Sequence, residues 1–188
     1  MIQSLRSMTR NNKIALTSCN NVLSIAPDAC HESDCVIRAL KRLDVDAEVV
    51  TWDDESIDWS KYAGVIISQT WDYSQKFDHF TQWLRKTATK TAVFNSPPIV
   101  QWNADKVYLK QLESLGVRIV PTVWVDATTS EDEAQLTRIL DQKKWSSLIM
   151  KASVGCDADS VKRFNTYNAD AHAYASSLIA MGHSTILI

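Results

Sequence analysis

Strand-length apolar runs alternate with amphipathic helices from residue 13 to residue 97, and that alternation restricts the fold more than any other feature of the chain. "KIALTS" (13–18) is a short apolar strand. "DACHESDCVIRALKRLD" (28–44) carries Cys35, Ile37, Leu40 and Leu43 near helical spacing, and "DAEVVTW" (46–52) and "AGVIISQ" (63–69) supply two further strands. "FDHFTQWLRKTA" (77–88) sets Phe77, Phe80 and Leu84 on one helical face. "TAVFN" (91–95) is a short fourth strand, followed by Ser96 and the breaker pair Pro97-Pro98. Strands connected through helices pair in parallel, so the pattern predicts a parallel-sheet α/β domain over residues 12–97.

From residue 98 to residue 188 the order changes to that of a second, α+β module. Asn103 reads as an N-cap and Ala104-Asp105 as the start of a helix. That places Lys106 in a first turn, where exposed N–H groups and the positive end of the macrodipole disfavour a cation. "RIVPTVWVD" (118–126) reads as a strand, and "SEDEAQLTRILDQKKW" (130–145) as a helix capped by Ser130 with Glu133 at capping-box spacing. "SSLIMKAS" (146–153) is an apolar strand with Lys151 near its exit, and "SVKRFNT" (160–166) is its hairpin partner. "NADAHAYASSLIAM" (168–181) is a helix and "STILI" (184–188) a last apolar strand. That strand is expected to stand as a bare edge through which the chain pairs with another copy or another chain.

Composition removes several function classes. With 188 residues, 45% of them hydrophobic, the chain can bury a sizeable core, while a net charge of −2 gives it no basic field for nucleic acid or anionic membrane. No apolar run is long enough to span a membrane, and MIQSLRSMTRNN lacks the apolar core of a signal peptide, so a cytoplasmic protein is expected. Cys19, Cys30, Cys35 and Cys156 form no CxxC pair and have no histidine at zinc spacing; they read as free thiols, with no metal site. With only Gly64, Gly116, Gly155 and Gly182, neither GxGxxG nor GxxxxGK[ST] can be written. His31, His79, His172 and His183 fall in no nucleophile–base arrangement, and no catalytic residue is identified. Of the seven tryptophans, Trp52, Trp59, Trp83, Trp124 and Trp145 read as core or junction packing.

Two lysines remain. Lys106 opens a helix and Lys151 closes a strand, and two compact ammonium charges converging from separate elements could hold a triphosphate without a P-loop. "NADKVYLKQLESLGVRIVPTVWV" followed by "LIMKASVG" resembles the ATP-grasp superfamily, and "WDD…DWS", "TWDY" and "NSPPIVQWNADK" are similar to the branch of cycloserine-forming and glutathione-synthetase-like ligases. The resemblance covers about residues 13–155. It implies a pre-ATP-grasp domain over 12–97 and the first part of an ATP-grasp module over 98–188, with Lys106, Lys151 and Ser153 at the phosphates of ATP.

"TWDY" follows the third strand directly, so Thr70, Trp71, Asp72 and Tyr73 belong at the carboxyl end of the sheet, where α/β folds place ligands. Asp72 either holds a substrate amino group between Trp71 and Tyr73, or caps the next helix while the aromatics pack the domain junction; Trp102 is open to the same two readings. For a complete homologue the resemblance implies a carboxylate–amine ligase. ATP would convert a carboxylic acid to an acyl-phosphate, which an amine, such as that of an amino acid, then attacks. Two features depart from the family. "KASVGCDADSVKRF" offers only Gly155, with Asp157 and Asp159, where a glycine-rich phosphate loop is usual, and the magnesium ligands expected beyond a hinge are absent from the chain. A fragment of such a ligase is therefore expected, the alternative being a catalytically incompetent relative that serves as a binding or interaction module.

Overall fold

Four parallel strands carry the first part of the chain: β1 (Lys13–Ser18), β2 (Asp46–Thr51), β3 (Gly64–Gln69) and β4 (Ala92–Phe94), in the order β2-β1-β3-β4. The structure is a computed structural model describing residues 13–126, 138, 142–143, 145–156, 158–183 and 185–187. The chain divides into two units, Met1–Gln101 and Trp102–Ile188. In the first unit Lys13 aligns with Asp46 across β1 and β2, and Gly64 with Ala92 across β3 and β4. A Cβ at Gly64 would sit 2.8 Å from the Phe94 ring, so glycine lets the fourth strand close on the third.

Helix α1 (Val22–Ile25) is a single turn, and α2 (Ala29–Lys41) ends before Leu43. The apolar stripe read for α2 is therefore only partly a core face: Ile37 and Leu40 are half-buried, Cys35 and Leu43 are exposed, and Ser33 is the buried residue. Helix α3 (Phe77–Ala88) turns Phe80 and Leu84 inward as its spacing predicts, together with Trp83 and Thr87. The core gathers Ala15, Val50 and Val65 from the sheet with Phe80 and Leu84 from α3 and the rings of Trp52, Trp59 and Trp83. Trp83 meets Trp52 and Trp59 edge-on, at centroid distances of 5.6 and 5.5 Å.

The start of the second unit differs from the sequence reading. Helix α4 runs Pro97–Ala104 and α5 runs Tyr108–Ser114, so Asn103 lies inside a helix and caps nothing. The two prolines are a start signal here, because proline lacks only an N–H that a first turn leaves unpaired. Lys106 consequently occupies the break between two helices. Helix α5 stops at Gly116, whose φ of 83° is the left-handed conformation that glycine takes without strain. Of "RIVPTVWVD" only Trp124–Asp126 forms a strand, β5; Pro121, with no N–H for a ladder, precedes it.

The remaining strands are antiparallel: β6 (Leu148–Ala152), β7 (Val161–Phe164) and β8 (Thr185–Leu187), in the order β5-β8-β6-β7, with α6 (Ala169–Ala180) packed on one face. The β6–β7 hairpin and helix α6 follow the sequence reading, and Asn168 caps that helix by accepting from the Ala171 N–H at 3.0 Å. The predicted bare edge does not. Strand β8 pairs with β5 on one side and with β6 on the other, so it is an interior strand and offers no open edge. A strand without flanking polar residues is suited to such an interior position, which periodicity cannot distinguish from an edge. The helix read over 130–145, with Ser130 and Glu133, lies outside the described residues apart from isolated positions.

Candidate functional site

The break between α4 and α5 is built by Asp105, whose side chain accepts the Val107 N–H at 3.0 Å while its carbonyl accepts the Tyr108 N–H at 3.3 Å. This turn aims Lys106 at the loop that follows β6. The Lys106 backbone N–H donates to the Ser153 carbonyl at 2.9 Å, and its Nζ donates to the Ser153 and Gly155 carbonyls at 3.1 and 2.9 Å. Ser153 is buried.

Lys151 reaches the same place from the strand. Along β6, Leu148, Met150 and Ala152 point into the core, so Lys151 and Ile149 occupy the opposite face. Burial holds the Lys106 ammonium below the usual lysine value, and the positive charge of Lys151 lowers it further, against the opposing charges of Asp105 and Cys156. The predicted pair thus shares one electrostatic environment. Beyond Gly155 the loop reaches left-handed backbone at Ala158 and Ser160, with φ of 60° and 56°, so non-glycine residues take up conformations that glycine usually supplies.

In the first unit, Thr70 and Asp72 are buried, and Trp71 and Tyr73 are half-buried against that unit's own core. Asp72 does not cap the following helix. Its Oδ1 accepts from Trp52 Nε1 at 2.7 Å and its Oδ2 from Lys76 Nζ at 2.8 Å, and Lys76 also reaches Asp53 at 2.6 Å. The following helix begins after Lys76 with no side-chain cap. Asp53 and Lys76 escaped the sequence reading, although the four-residue interval from Asp72 to Lys76 and the "WDD" motif were both visible in it. Trp102 is part-exposed; its ring lies 4.7 Å from Tyr108 and its Nε1 donates to Gln111.

Among the described residues no group of three or more His, Cys, Asp or Glu side chains could hold a metal ion, and no helix is long and apolar enough to cross a membrane. Cys19, Cys30 and Cys35 are free thiols.

A parallel-sheet unit followed by an antiparallel unit makes the chain similar in fold to solved ATP-grasp proteins. The RimK domain ATP-grasp protein of Sphaerobacter thermophilus superposes with a TM-score of 0.59 at 13% identity, over 93% of this chain and 62% of that one. D-alanyl-alanine synthetase A of Vibrio cholerae does so at 0.67 with 11% identity, over 93% and 57%. Residues 14–95 match the family described as the N-terminal domain of D-cycloserine synthetase DcsG. The cycloserine biosynthesis protein DcsG of Streptomyces lavendulae is 24% identical over 172 residues, 88% of this chain and 58% of the relative. The crystal structure of D-cycloserine synthetase DcsG superposes with a TM-score of 0.76 at 23% identity, over 93% of this chain and 58% of that one. The chain therefore spans well under two thirds of the length of the relative it matches.

Proposed function

We propose that this chain carries the nucleotide-holding part of an ATP-dependent carboxylate–amine ligase, with Lys106, Lys151 and Ser153 at the ATP phosphates. The supporting observation is the electrostatic opposition of the two lysines, one of them partly buried. Like charges held together destabilise each other, and a polyanion bound between them reverses the sign of that interaction. Lys106 is positioned by its two carbonyl partners, so it presents a fixed charge. ATP supplies the phosphoryl group that activates a substrate carboxylate as an acyl-phosphate, which the amine of a second small molecule such as an amino acid then attacks.

At the carboxyl end of β3, Asp72 acts as a positioning residue, and Thr70, Trp71 and Tyr73 beside it are the groups offered to substrate. Magnesium is expected to accompany ATP, and no described residue is assigned to it. A glutathione-synthetase-like ligase working in the cytoplasm is the finer form of this reading.

The test is ATP titration by calorimetry, with and without magnesium, for the parent chain and for Lys106→Ala and Lys151→Ala. Each substitution should weaken binding at least about tenfold, the scale of one charge-assisted phosphate contact. Affinity unchanged in both variants would sink the phosphate assignment.

A further inference from the structure

Ser33 is buried on α2 where an apolar residue would ordinarily sit, and its hydroxyl donates to Gln69 Oε1 at 2.9 Å. Gln69, 3% exposed at the end of β3, passes the contact on: its Nε2 donates to Glu32 Oε2 at 3.1 Å. With Oε1 accepting and Nε2 donating, the amide can face only one way. Two buried polar side chains thus hold one carboxylate, and Glu32 is itself exposed. Buried polar groups are costly unless partnered, and here the chain of partners ends in a surface charge that forms no ion pair among the described residues.

Strand order fixes where this carboxylate stands. In β2-β1-β3-β4 the chain winds to one side of β1 and then to the other, so the crevice beyond the carboxyl ends of β1 and β3 is where an open parallel sheet takes its ligand. Glu32 belongs to α2, which follows β1, and Gln69 closes β3, so their bond spans that crevice. A bulge puts Gln69 there. Leu16 pairs with Ile66 but Ser18 pairs with Gln69, one residue late, and the displaced Ser68 N–H donates to the Thr17 hydroxyl at 3.3 Å. In unbroken register Ser68 would stand opposite Ser18, and Gln69 would face the other side of the sheet. Thr70, offered to substrate with Trp71 and Tyr73, is the next residue. Asp72 beside them is 3% exposed and has a donor on each oxygen, whereas Glu32 is exposed and Gln69 engages its Oε2. We propose that Glu32 is a specificity-determining residue that binds the α-ammonium of an amino-acid substrate, with Gln69 and Ser33 as positioning residues. The tether places the carboxylate in advance, and an ammonium offers it a charge-assisted contact that a neutral group does not. The inference rests on the reading that substrate binds at the carboxyl end of β3, and it does not depend on the phosphate site.

The experiment titrates the full chain by calorimetry with alanine and serine of both hands, and with propionate and 3-hydroxypropionate, which lack only the amine. At least one amino acid should bind at least about tenfold tighter than its amine-free counterpart, the scale of one charge-assisted contact. Glu32→Gln should bring the two affinities within about twofold of each other, and Glu32→Asp, which keeps the charge on a shorter arm, should retain part of the preference. Ser33→Ala should weaken the amino acid several-fold and leave the amine-free acid unchanged, a selectivity that a merely structural network would not produce. Should Glu32→Gln fail to fold, Glu32→Asp and Ser33→Ala carry the test. The inference is overturned if the preference persists in Glu32→Gln, in which case the substrate reading survives without Glu32, or if the parent binds amino acid and amine-free acid equally. If no amino acid binds at millimolar concentration, the inference fails together with the substrate reading of the sheet end, while the ATP titration decides the phosphate site separately.

Discussion

The carboxyl end of the parallel sheet and the loop after β6 both gather charge, and they use it in opposite ways. Around Asp72, each charge has found an opposite or a donor inside the fold: Trp52 and Lys76 on Asp72, and Asp53 on Lys76. Ion pairing there outweighs burial: the bonds to Asp53 and then Asp72 raise the Lys76 ammonium above its ordinary value against the opposing effect of desolvation. Around Lys106, burial first and then the charge of Lys151 lower the ammonium. Charges of the first kind hold the architecture, whereas for those of the second kind we propose a ligand as the missing partner.

The sharpest way to break this contrast is at Asp72. Replacing it with Ala strips a buried acceptor from Trp52 and a partner from Lys76, and should cost about 3 kcal/mol in urea unfolding. Asp72→Asn keeps an acceptor for Trp52 and should cost about half as much. A loss under about 1 kcal/mol for Asp72→Ala would mean that the network is not structural. Lys106→Met should do the reverse. Two hydrogen bonds to carbonyls are lost, at about 1 kcal/mol each, and relief of the Lys151 repulsion offsets part of that. Net stability should fall by no more than about 1 kcal/mol while ATP affinity drops at least tenfold.

A pH series sharpens the contrast further. Lys106 binds phosphate only when charged, and its lowered value means that it loses the proton before an ordinary lysine does. ATP affinity should therefore decline as pH rises toward the usual lysine range, and the decline should vanish in Lys106→Met. Equal pH profiles for parent and variant would remove Lys106 from the site.

The smallest effects belong to the Glu48 cluster. Its carboxyl is held below the ordinary value by the Lys13 ammonium and then by the Tyr62 hydroxyl, which donates at 2.6 Å. A depressed carboxylate stabilises above its unfolded value of 4.5 and loses that contribution as pH falls through its folded value. Tyr62, pushed up to about 12 by burial and by Glu48, works at the other end: its contribution is complete below 10 and disappears as pH rises through 12. Because the pair with Lys13 is about two-fifths exposed, Glu48→Gln should cost less than about 1 kcal/mol, and only above the acid range. Denaturant midpoints across pH would check it.

Much of the first unit was legible in the chain. The strands at 13–18, 46–51 and 64–69 were legible as short apolar runs, and the helix at 77–88 as a period-3.6 stripe that buries Phe80 and Leu84. The two lysines were legible as a pair through resemblance, since Lys106 and Lys151 stand in a recognisable order. The Asn103 cap failed because Asn before a helical run has the same local chemistry whether it starts a helix or ends one, and Pro97-Pro98 set the start seven residues earlier. The Asp72 cap failed for a related reason. A carboxylate at a strand end fits a ligand, a cap or an ion pair equally well, and only its neighbours distinguish them.

By itself, then, the sequence determined most element types and the change of organisation near residue 98. Those properties are local, written in hydrophobic period and residue type. Two results came only from tertiary structure: the interior place of β8 and the Trp52–Asp72–Lys76–Asp53 network. Each depends on contacts between residues distant along the chain, such as Trp52 with Asp72 and Lys151 with Leu187. Residue period is blind to such contacts, because it records how much of a face is buried and carries no information about what that face is buried against.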